Sequence, residues 1–260
     1  MPDLEVSMFN PSLIAPLGFV LSEQVVRESM EGRDTLTASF RDSSERATLT
    51  VWLIDFTESE GRQRYIDRLN GLLSVGTIDN LPSGGPSLLP AGDKSRFSAD
   101  PEAGGLNVHI FLGGYAVSAA LHYGGSGPRG AIVWSGSDKA GDHLAVEGFC
   151  RDALATAVGS ELRASGNVVV NGITITGVKQ DDYARRSVPI RAWCAARGIT
   201  LNANPQHGTA AFTYGDRMFV IPLAAASIKA GAQWKPLDGY ALSADGKWLA
   251  PLDGLEAAIR

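Results

Sequence analysis

Residues 167–178 read NVVVNGITITGV, two β-branched runs on either side of Asn171-Gly172. The tight turn that joins two such strands holds both of its central residues at positive φ, and Asn-Gly is a pair that tolerates this. The chain must therefore fold back on itself there as a hairpin, which leaves no room for a helix. The same punctuation runs through the whole sequence, with 30 glycines and 13 prolines in 260 residues. So many breaks predict short strands and turns more than long helices.

Downstream of a charged spacer, Arg186-Ser-Val-Pro-Ile190 leads into Arg191-Ala-Trp-Cys-Ala-Ala-Arg-Gly198. Proline suits a helix start, where its missing N–H has no intrahelical partner to lose. Gly198 stands where a left-handed residue would close the helix. Ile190, Trp193, Cys194 and Arg197 share one face, which marks Trp193 as core. Strands are expected over 199–202, 209–214 and 218–222, separated by turns at 204–208 and 215–216. The tail then repeats the opening. Ala230-Gly231 takes the place of Asn171-Gly172, Trp248-Leu-Ala-Pro-Leu252 that of Ser187-Val-Pro-Ile190, and Glu256-Ala-Ala-Ile259 that of Cys194-Ala-Ala-Arg197. An internal duplication is the expected origin.

The succession Val170-Asn-Gly172, Val188-Pro-Ile-Arg191, Ala195-Ala-Arg-Gly198 and Ala250-Pro-Leu252 resembles the copper amine oxidase N-terminal-like (stalk) family. The likeness covers residues 167–260 and implies a small α+β domain over 164–260. It does not imply copper, because the stalk domain itself carries no metal or quinone chemistry. What it does imply is an extracytoplasmic setting in bacteria, commonly at the cell wall, and a role in attachment or spacing.

Residues 1–163 are expected to form a separate domain. Thr35–Arg41 alternates apolar and polar residues and Ala47–Ile54 is β-branched and apolar, and with a polar turn between them the pair reads as an antiparallel hairpin. Thr57-Glu-Ser-Glu60 is a capping box, opening a helix expected to run to about Leu73. A long Pro/Gly/Ser segment, 78–105, is a candidate functional loop. Strands are then expected at 108–112 and 115–123 around Gly113-Gly114, another at 131–134, and a helix over 138–158. A Trp52–Phe56 strand, a helix and a hairpin carrying Gly-Gly-Tyr are similar to Mog1/PsbP-like domains over 10–160. The expected fold class is α+β, in two domains, each a mainly antiparallel sheet packed with a few helices.

A formal net charge of −5 offers no basic footprint for phosphates, so nucleic acid is not an expected partner. Arg185-Arg186 and Arg191 follow Asp181-Asp182, which neutralises them locally. No apolar run reaches the ~20 residues of a membrane span, and Asp3 and Glu5 lie where an export signal would need Lys or Arg. Gly125-Ser-Gly-Pro-Arg-Gly130 matches GxGxxG, but it precedes an expected strand and not the helix that phosphate binding requires.

Cys150 and Cys194 have no metal-type spacing and are expected as buried thiols, with a bridge between them the lesser alternative. In the 113–114 hairpin, His109 pairs with residue 118 and His122 with 105, so the two histidines are not neighbours. His207 belongs to a turn. His143 and Glu147 share a helix face at i,i+4, better suited to a surface hydrogen bond than to a metal site with no third ligand. There is no GxSxG elbow. No catalytic residue, metal site or cofactor is therefore expected.

The expected function is a non-enzymatic binding or scaffolding protein of the bacterial envelope, its stalk-like domain attaching to cell-wall glycan or to another envelope protein. Trp248, Tyr240 and Tyr214 are the candidate ligand-binding residues, because aromatic rings stack on sugar faces. Alternation along Lys247-Trp-Leu places Trp248 opposite an inward Leu249, hence towards solvent. The alternatives are a structural subunit of an assembly, or a hydrolase with its site in the first domain near the 78–105 loop.

Overall fold

Alternation of apolar residues becomes visible as sheet faces in a computed structural model that describes residues 4–30, 33–42, 47–56, 96–100, 105–112, 114–123 and 137–260. The architecture is α+β, with antiparallel pairing throughout the described sheets. Contacts gather the described residues into two compact units, one within 4–154 and one over 155–260.

In the first unit, β1 (Phe19–Leu21), β2 (Val26–Met30), β3 (Arg33–Asp42), β4 (Ala47–Asp55), β5 (Arg96–Asp100), β6 (Gly105–Leu112) and β7 (Tyr115–Tyr123) form one sheet. Its order is β1-β3-β4-β7-β6-β5, with β2 also on β3. Leu36 opposes Leu53, Leu53 opposes Val117, and Val117 opposes Ile110, so one continuous row of buried aliphatic side chains crosses four strands. Helix α1 (Ser137–Gly159) brings Phe149 into this unit, where it stacks on Phe9 at 5.8 Å and meets Phe40 edge-on at 5.5 Å. A smaller apolar cluster, Ile54, Phe56 and Ala116 with Trp52 against it, occupies the other parity of β4 and β7. With apolar cover on both parities, Tyr115–Leu121 is buried without alternation.

The hairpin expected over 35–54 and the helix expected over 138–158 are present. His109 faces Ser118 and Gly105 faces His122, as the turn at 113–114 requires. Within the segment read as a loop over 78–105, residues 96–100 instead form β5 and pair with β6. The helix expected from Thr57 and the strand expected at 131–134 lie outside the described residues.

The second unit contains β8 (Arg163–Ala164), β9 (Val168–Val170), β10 (Ile173–Ile175), β11 (Lys179–Gln180), β12 (Arg186–Pro189) and α2 (Ile190–Ala196). A meander follows, β13 (Leu201–Asn204), β14 (Thr209–Tyr214), β15 (Arg217–Pro222), β16 (Ser227–Ala230) and β17 (Gln233–Pro236). β18 (Leu242–Ala244), β19 (Lys247–Pro251) and α3 (Leu252–Ala258) close the chain. The strands make a β9–β10 hairpin, a sheet ordered β18-β19-β12-β11-β8, and the five-stranded meander sheet.

Asn171 and Gly172 have φ of 49° and 78°, the turn their sequence demands. Strands β12 and β19 pair directly, and each runs into its helix through a proline. Pro189 (φ −57°, ψ 117°) and Pro251 (φ −56°, ψ 124°) have nearly the same backbone geometry. Gly198, at φ 66°, ends α2 as expected. The turn between β16 and β17 is made by Gly231-Ala232 and not by Ala230-Gly231, since Ala230 is paired with Gln233. Trp193 is fully buried, edge-on to Phe212 at 5.6 Å, and Phe212 in turn stacks on Phe219 at 5.1 Å. These rings fill the space between α2 and the inner face of the meander.

Candidate functional site

The hairpin β14–β15 is longer than the strand beside it. Leu201, the first residue of β13, opposes Phe212, so Thr213 and Tyr214 run on beyond the β13 edge. Phe212 and Phe219 point into the core, whereas Tyr214, two residues on, is already past it and 40% exposed. The chain leaving α2 through Gly198 forms the facing wall. Between them lies an open groove of about 690 Å³ bordered by Arg197, Thr200, Asn202, Thr213, Tyr214 and Met218. Met218 pairs with Thr213 across the hairpin and is 59% exposed. Thr213 and Met218 lie on the opposite sheet face from Tyr214, so residues from both faces of the hairpin end border the groove.

Arg197 is held from two sides. Its guanidinium lies over the Trp193 ring at 5.2 Å, and its Nη2 donates to Glu256 Oε2 on α3. The other oxygen of the same carboxylate accepts from Trp193 Nε1 at 2.8 Å. One glutamate therefore fixes both the indole and the guanidinium, tying α3 to the last turn of α2. Buried Arg197 Nε has no hydrogen-bond partner among the described residues. Lys235 Nζ donates to the Ala258 carbonyl at 2.7 Å, satisfying the C-terminal end of α3.

Of the three aromatic residues singled out in the sequence, only Tyr214 borders this groove. Trp248, expected towards solvent, is instead half-buried against the core cluster, because both faces of β19 are covered: Leu249 is buried on one and Ala250 on the other. Tyr240 is half-buried in the segment between β17 and β18. Tyr214 and Trp248 belong to different sheets, and no ring contact joins the three among the described residues. Sequence reasoning missed Arg197 and Glu256 as a pair. Arg197 was visible as a neighbour of Trp193 on the helix face, but its partner comes from the far end of the domain sequence.

Both cysteines are free and buried. Burial pushes the Cys194 thiol up to about 12 and raises Cys150 further, so both stay protonated and behave as apolar side chains. Glu147 accepts a hydrogen bond from Arg151 Nε at 2.8 Å in the buried part of α1, which commits that carboxylate to an ion pair. No group of three or more potential metal ligands occurs among the described residues. The Asp181 carboxylate binds Arg185 of the basic cluster at 2.6 Å, whereas Asp182 binds Arg163, outside the cluster, at 2.7 Å. No helix among the described residues is long and apolar enough to cross a membrane. Compared with protein-family models, with curated proteins and with solved structures, the chain matches none.

Proposed function

We propose that this chain is a non-enzymatic binding protein of the bacterial cell envelope that attaches to cell-wall glycan through the groove beside Tyr214. In this proposal residues 164–260 are a stalk-like domain of the copper amine oxidase N-terminal type, and residues 1–163 are a separate Mog1/PsbP-like domain. Duplication within the stalk-like domain is supported by the direct pairing of β12 with β19 and by the matching geometry of Pro189 and Pro251.

The observation that carries the attachment reading is the chemistry of the groove. Sugars present apolar ring faces rimmed by hydroxyls, and a groove bordered by a half-exposed tyrosine, by threonines and by an asparagine offers a counterpart to both. The groove is open along one side, which suits a segment of polymer better than a small molecule engulfed on all sides.

Co-sedimentation of the full chain with purified peptidoglycan tests the proposal. Tyr214→Ala should weaken binding roughly tenfold, the scale of one lost ring contact. Trp248→Ala should have a smaller effect on binding, because that ring packs against the core. Failure of the native chain to sediment, or equal binding by Tyr214→Ala, would overturn it.

A further inference from the structure

We infer that the groove beside Tyr214 selects an acidic sugar over a neutral one, with Arg197 as the residue that recognises the negative charge. This rests on the glycan reading above and names the class of glycan. Among the described residues, Arg197 is the only charged one bordering the groove, and no carboxylate among them borders it. At the rim, Arg217 is the cross-strand partner of Tyr214, with Asp216 beside it in the turn.

A guanidinium presents five N–H donors in a planar fork suited to a carboxylate. In Arg197 Nη2 donates to Glu256 and Nε is buried away from solvent without a partner among the described residues, which leaves Nη1 as the uncommitted arm of the fork. The side chain is 15% exposed, so an arriving anion meets a cation that is already largely desolvated and held in place by the Trp193 ring. Both features favour a charge-assisted hydrogen bond over a loose surface pairing. Glu256 opposes this, since it already neutralises part of the charge. The balance between Glu256 and the ligand carboxylate sets how strong the selection is.

Two tetrasaccharides separate this inference from the reading it rests on. One is the neutral tetramer of N-acetylglucosamine; the other alternates N-acetylglucosamine with N-acetylmuramic acid and carries free lactyl carboxylates on an otherwise identical backbone. Titration of the full chain by calorimetry should give about tenfold tighter binding of the acidic sugar, the scale of one hydrogen bond to a charged group. That ratio should shrink with added salt.

Arg197→Gln should bring the ratio close to one. Glu256→Gln, which keeps an oxygen to accept from Trp193 Nε1 while removing the competing charge, should raise the ratio above that of the native chain. Equal binding of the two sugars by the native chain, or a ratio that neither substitution moves, would overturn the charge selection and leave the glycan reading standing. Binding of neither sugar would overturn both. Should Arg197→Gln fail to fold, the Glu256→Gln ratio decides alone.

Discussion

Gly254 gives the packing of the second unit its sharpest test. It is the third residue of α3, and a Cβ built on it would land on the carbonyl carbon and oxygen of Leu237. Helix propensity alone favours alanine there by about 1 kcal/mol. The obstruction is backbone, however, and that backbone is held: Leu237 is fully buried and its N–H donates to Ala226 O at 2.8 Å. Gly254→Ala must therefore lift α3, which carries the buried Leu255 and Ala258 into the core. It must also strain the bond from Lys235 to the end of that helix.

Overpacking of a dense core costs about 1–3 kcal/mol, and a contact with fixed backbone belongs at the upper end of that range. With the propensity gain subtracted, a net loss of about 2 kcal/mol follows. Amide hydrogen exchange of the full chain, read over 190–196 and 252–258, should show lower protection in both helices. A variant as stable as the native chain, or more stable by the propensity increment, would refute the close approach of α3 to Leu237.

Three further perturbations probe other parts of the molecule. Phe149→Ala should cost about 3–5 kcal/mol by removing a buried ring that contacts Phe9 and Phe40; urea denaturation measures it, and exchange should quicken in β3 and β4. Trp193→Phe should cost about 1–2 kcal/mol, because Glu256 loses its indole donor while keeping Arg197; thermal denaturation of the two chains compares them. Burial pushes the Asp152 carboxyl up to about 6 from an ordinary value of 3.8, so the folded state binds a proton more tightly than the unfolded one. Stability should accordingly fall as pH rises from about 4 to 6 through this group. Asp152→Asn should remove that slope and gain on the order of 1 kcal/mol at pH 7 after allowance for solvent screening, measured by urea denaturation across the pH range.

Local chemistry was legible in the sequence wherever one or two residues dictate the backbone. Asn171-Gly172 fixed its turn, Gly198 its helix end, and the two prolines the passage from strand to helix. Strand β2 was not legible, because Val26–Met30 reads as polar and gains its conformation from pairing with β3. Strand β5 was hidden in a segment whose glycines and prolines suggest loop. The hairpin turn at Asp245-Gly246, with both residues at positive φ, carries the Asp-Gly dipeptide that such a turn favours. Alternation set Trp248 opposite an inward Leu249 and so towards solvent, but both faces of β19 are covered and the ring is half-buried against the core cluster. The groove depends on the offset between β13 and β14 and on a glutamate arriving from α3, and both are products of tertiary register.

The central claim is that the groove beside Tyr214 takes a sugar. Amide chemical shifts of the full chain, followed during titration with the alternating N-acetylglucosamine–N-acetylmuramic acid tetrasaccharide, test it most directly. Saturable shifts gathered at Arg197, Thr200, Asn202, Thr213, Tyr214 and Met218 are the expected result. Shifts centred on β18–β19 or in the first unit, or no saturable shifts at all, would contradict it.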